Sequence, residues 1–123
     1  MEYTSEFDNT NNICTVRVTG KYYRERESEK LKRFAVDFHA ENGCCLFIFD
    51  MTQAEIVATT METFEAAAPR PDIFRDLIKI KTAFLYRVIT DEERFMEDVA
   101  VNRGLQAKLF DVYDKAVEWL EQS

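Results

Sequence analysis

The spacing of apolar positions changes several times along the chain, and each change marks an element. From Ile13 to Thr19, Cys14, Val16 and Val18 alternate with Thr15, Arg17 and Thr19, the period-two pattern of a half-buried strand. Glu2 to Phe7 alternates more weakly, and the turn formers Asp8 to Asn12 lie between the two segments. Together they predict an antiparallel hairpin at a sheet edge, with Gly20 ending its second strand. From Arg24 to Glu41 the period lengthens. Leu31, Phe34, Ala35 and Phe38 form one helical stripe, and Gly43 is a natural stop.

The run from Cys44 to Phe49, CCLFIF, is apolar throughout, which suits a central strand covered on both faces, and Asp50 is expected to end it. A loop then leads to Thr59 or Thr60. Thr59 with Glu62 makes a capping box for a helix that carries Met61, Phe64 and Ala67 and stops at Pro69 and Pro71. Asp72 to Leu77 adds a short helical turn, and Thr82 to Ile89 reads as a second central strand. Thr90 with Glu93 repeats the capping box, opening a helix with Phe95, Met96, Val99 and Ala100 turned inward and Asn102 to Gly104 closing it. Ala107 to Phe110 is strand-like, and Asp111 with Asp114 opens a last helix carrying Val112, Ala116, Trp119 and Leu120. The order ββαβαβαβα implies an α/β fold: a mostly parallel mixed sheet of about five strands with about four helices.

Length and charge narrow the picture further. At 123 residues and 46% hydrophobic, the chain is expected to be one domain over 1–123 with a core of its own. A net charge of −7, spread along the sequence, argues against nucleic acid as a partner. No apolar stretch has the length of a membrane span or the layout of a signal peptide, so the expected location is the cytoplasm. Cys14, Cys44 and Cys45 are an odd set, expected as free thiols in the core, and with His39 the only histidine neither a metal site nor a cofactor is expected.

In open α/β sheets, function gathers where the chain leaves the carboxyl end of a strand for a helix. Here that place holds Asp50, Thr52, Thr59 and Thr60, followed by Ile56, Val57 and Met61 as a candidate apolar docking patch. Turn and capping chemistry accounts for the Asp and Thr residues equally well. Tyr22, Tyr23 and Tyr86 are candidates for lining a pocket, whereas Arg70, Arg75, Lys79 and Lys81 are interrupted by Asp72 and Asp76 and read as a solvated face. Catalysis is not expected. The chain has no nucleophile elbow and no glycine-rich phosphate loop, and its paired carboxylates fall at helix starts.

The element order, the stretch DMTQAEIVATTM from Asp50 to Met61 and the stretch LFDVYDKAVEWL resemble the STAS group. Within it they resemble the SpoIIAA-like branch of small bacterial proteins related to anti-sigma-factor antagonists. In signalling members, the second serine of a D-S-S-G sequence at the helix start is phosphorylated by a partner kinase. The matching position here is Thr60, with Ala58 and Met61 in place of the flanking acid and glycine. The resemblance implies a non-catalytic regulatory or protein-interaction module that docks a protein partner, or a second copy of itself, through the loop and helix after the central strand. The alternative is a small-molecule or lipid carrier, since the branch is similar in architecture to CRAL-TRIO domains. Its mark would be an apolar cavity between sheet and helices, lined by some of the ten phenylalanines.

Overall fold

The computed structural model describes residues 1–57, 61 and 71–122. Two strands, β1 (Glu2–Asp8) and β2 (Ile13–Tyr23), form the antiparallel hairpin, and α1 (Arg24–Asn42) crosses to β3 (Leu46–Val57). The short α2 (Pro71–Leu77) precedes β4 (Lys81–Leu85), α3 (Asp91–Asn102) leads to β5 (Gln106–Phe110), and α4 (Tyr113–Glu121) ends the described chain. The sheet order is β1-β2-β3-β4-β5, with β2 to β5 parallel. Element order and fold class are those the sequence predicts.

Each face of the sheet has its own core. Cys14, Val16, Val18, Phe47, Phe49 and Met51 point to the side covered by α1, α2 and α3. Ile13, Ile48, Ala83 and Leu85 point to the other, where Ala116 and Leu120 of α4 pack on them. Opposite parity along each strand puts the two sets on opposite faces. Gly43 closes α1 in the left-handed region at φ 70°, its N–H donating to the His39 carbonyl at 2.8 Å. Lys81, read from sequence as part of a solvated basic face, instead holds the end of α4: its Nζ donates to the Trp119 and Gln122 carbonyls and lies 4.4 Å from the Trp119 ring centre.

Several boundaries differ from expectation. Gly20 does not end β2. It sits at φ 79° inside the strand, which runs on to Tyr23 against β3. Asp50 does not end β3 either. Its carboxylate accepts the Thr52 N–H at 3.0 Å and the Thr52 hydroxyl at 2.6 Å, and the register against β2 shifts between Arg17 and Thr19. Turn chemistry at Asp50 therefore makes a bulge, after which pairing resumes. Cys45 is exposed and precedes the strand. The fourth strand ends at Leu85: the Tyr86 N–H makes a last bond to β5, at the Phe110 carbonyl, and Val88 beyond it lies in solvent. Pro71, expected as a helix stop, occupies the first position of α2, where a missing N–H costs nothing. Phe95, expected inward, is exposed, and Val112, expected on the last helix, is its exposed N-cap residue instead. The helix expected from Thr59 lies, apart from Met61, outside the described residues up to Pro69.

Candidate functional site

Of the residues singled out after the central strand, Asp50, Thr52, Ile56 and Val57 lie on β3 itself rather than in a loop. Thr59 and Thr60 fall outside the described residues; Met61 is 66% exposed. Asp50 faces Arg17 across the strand pair at 3.9 Å, and Arg17 also meets Glu6 at 3.0 Å, so Asp50 ends an ionic ladder across β1, β2 and β3. Beyond the bulge, Ala54 and Ile56 pack toward the core while Gln53, Glu55 and Val57 face out. Only Leu46 to Asp50 pair with β4, whereas β3 pairs with β2 as far as Val57. Among the described residues, the far half of β3 therefore has a strand on one side only. Beside it, Ile56 and Thr90 to Glu93 line an open groove.

A buried polar cluster lies at the same carboxyl end of the sheet. Arg24, the first residue of α1, is 1% exposed, and its guanidinium donates to the Tyr86 hydroxyl just past β4. Glu92 and Glu93, in the first turn of α3, lie 4.0 and 3.9 Å from it. Thr90 is the N-cap of α3, but its hydroxyl donates to the Glu93 carboxylate rather than either side chain binding a backbone N–H, so the expected capping box does not form. Tyr22, Glu27 and Ser28 complete the cluster, with the Tyr22 and Ser28 hydroxyls sharing a hydrogen bond. Burial pushes the Tyr86 phenol up to about 12 and Tyr22 up further, so both are neutral donors and acceptors near pH 7. The cluster ties the start of α1 to the start of α3.

Between α1, α3 and the β4–β5 half of the sheet lies a partly enclosed cavity of about 70 Å³. Phe49, Leu77, Ile80, Phe84, Met96 and Ala100 are among its walls. Lys32 lines it as well, and burial pushes its ammonium down to about 8 from 10.5. A depressed base binds fewer protons folded than unfolded, so this group adds stability as pH rises through the window from 8 to 10.5. Lys32→Met is accordingly expected to stabilise the fold by about 2 kcal/mol at pH 7, a value reduced from the bare shift because the side chain retains some solvent contact. The gap to the wild type should close toward pH 10 in urea titrations. Burial raises the Cys14 thiol to about 11 and raises Cys44 too, which opposes stability at high pH, but equally in both proteins, so it drops out of the difference. A constant gap would mean that Lys32 is solvated.

His39 and Cys45 come together without signal from their spacing. The Cys45 sulfur lies 3.7 Å from His39 Nδ1, but the same nitrogen is 2.9 Å from the Cys44 carbonyl. A carbonyl only accepts, so Nδ1 carries the proton and cannot serve as a base toward the thiol. Among the described residues no group of three His, Cys, Asp or Glu side chains is placed to hold a metal, and no helix is long and apolar enough to cross a membrane.

No protein-family model matches the chain, and no curated protein sequence matches it. Solved structures do. The unphosphorylated form of the anti-sigma factor antagonist SpoIIAA superposes with a TM-score of 0.60 at 9% identity, covering 99% of this chain and 100% of that one. An uncharacterised DUF3478 protein of SpoIIAA-like fold from Shewanella loihica superposes with a TM-score of 0.54 at 14% identity, covering 97% and 92%. At such identities the likeness is one of backbone architecture, and the chain has a SpoIIAA-like fold.

Proposed function

We propose that the protein is a non-catalytic interaction module that docks a protein partner through the carboxyl end of β3. The observation that carries this reading is the overhang of β3 beyond β4: among the described residues it pairs to one side only, ending in exposed Val57, with Met61 exposed in the segment that follows. An unpaired strand edge beside exposed apolar side chains is a ready surface for a protein chain. Asp50 and Thr52 contribute by setting the bulge that aims the overhang. Thr59 and Thr60 belong to this proposal through their position after the strand, Thr60 as the hydroxyl a kinase would modify. The test is affinity capture with wild type and with Val57→Asp, a position exposed enough to leave the core intact. A partner retained by the wild type and lost by the variant is the expected result; identical captures by both would overturn this placement of the site.

A second reading is favoured by a separate observation, the apolar cavity beneath α1 and α3, walled in part by Phe49 and Phe84. It makes the chain a carrier of a small apolar molecule. Native mass spectrometry of the freshly purified protein tests it: a discrete retained mass supports a carrier, and a clean protein mass, as monomer or dimer, counts against one.

A further inference from the structure

We propose that β1 is a second docking strand, separate from the β3 overhang: its outer edge takes an extended segment of a partner protein that carries basic side chains at alternate positions and apolar ones between them. β1 ends the sheet, with β2 on one side and the seven residues from Glu2 to Asp8 along its outer edge. In an antiparallel pair every second residue bonds to the neighbour, so the residues between turn their N–H and C=O groups outward. The other end of the sheet is guarded. On β5 the Leu109 N–H is already taken by the Glu97 carboxylate at 2.7 Å. An added strand therefore finds its template on β1 rather than on β5.

The pairing with β2 sorts the β1 side chains onto two unlike faces. Tyr3 and Phe7 lie opposite Val18 and Cys14 on the α1 side, their ring centres 5.6 Å from those of Phe34 and Phe38. Glu2, Glu6 and Asp8 form a row on the other face, opposite Thr19, Thr15 and Ile13. Arg17 is shared between Glu6 at 3.0 Å and Asp50 at 3.9 Å, so it leaves this row net negative. On the α1 side, Arg26, Lys30 and Arg33 outnumber Glu29 and Asp37 around Tyr3, which disfavours basic side chains there. The two faces thus ask for apolar and basic residues in alternation. A second copy fits poorly. Paired antiparallel about Ser5, the register that brings Tyr3 to Phe7, two copies would set Glu2 against Asp8 at both ends, on chains that each carry −7.

Two synthetic peptides, KVKFKVK and EVEFEVE, titrated separately into the full chain at pH 7 and low salt and followed by amide chemical shifts, test the assignment. The lysine peptide is expected to bind saturably, with the largest shifts at alternate residues of β1. It should bind about tenfold tighter than the glutamate peptide, through cross-strand charge pairs at Glu2 and Glu6. Glu2→Lys combined with Glu6→Lys, both at exposed positions and so compatible with the fold, should reverse that order, and Val57→Asp should leave it unchanged. No saturable binding of the lysine peptide, or an order that survives the double variant, would overturn the proposal. So would shifts confined to β3, which would move the peptide to the overhang. Shifts in β1 that follow protein concentration without peptide would make a second copy the occupant and overturn it as well.

Discussion

Replacing Arg24 by methionine should destabilise the protein by about 3–5 kcal/mol, the usual result of removing one member of a buried charge cluster. The guanidinium is buried, hydrogen-bonded to Tyr86 and close to Glu92 and Glu93, of which Glu93 is itself only 6% exposed. Without Arg24, the Glu93 side chain loses its cationic neighbour in a site with little water. Most of the loss should therefore come from the stranded carboxylate rather than from the lost contact. A double-mutant cycle separates the two: Glu93→Gln in the Arg24→Met background should restore a large part of the stability, measured by urea unfolding. If Arg24→Met changed stability by less than about 1 kcal/mol, the cluster would behave as a solvated surface network instead.

Phe47→Ala should be of similar size, about 3–5 kcal/mol, for a different reason. Phe47 is fully buried on β3, with Phe38 edge-on at 6.1 Å on one side and Phe49 stacked at 6.3 Å on the other. The ring joins two aromatic groups: Phe34 and Phe38 of α1 with Phe7 of β1, and Phe49 with Phe84 toward the cavity. Truncation opens a void between elements too well tied to collapse into it. Phe47→Leu should lose much less, and equal losses for the two variants would show that packing around this ring is not the source of its effect.

These two positions mark where the sequence was legible and where it was not. Phe47 stands in an apolar run whose composition alone announces a central strand, and the alternation of β2, the stripe of α1 and the cap at Thr90 were equally plain. Arg24 and Glu27 read as ordinary charged residues at a helix start, since their burial depends on Tyr86 and Glu93, far away in the chain. Periodicity reports which side of a helix is apolar; it does not report what will later cover a polar residue. The extension of β3 was hidden differently. An Asp followed by a Thr two positions on looks like a turn, and here the same hydrogen bonds make a bulge. The alternation of Ala54 and Ile56 with Gln53, Glu55 and Val57 was the available signal. Lys32 had one too, in its spacing to Ala35 and Val36.

The sheet order, identical to the order of the strands in the chain, has a consequence for how the protein is made. No strand must be inserted between two that have already paired, so each one leaving the ribosome finds its neighbour already present on the growing edge. Every crossover is short, which keeps the entropy of closing each step low. Assembly can then advance from the hairpin outward as synthesis proceeds, with the incomplete edge always the newest strand. Once β4 is in place, α4 can dock on it, and Lys81 then holds it by the carbonyls at its end.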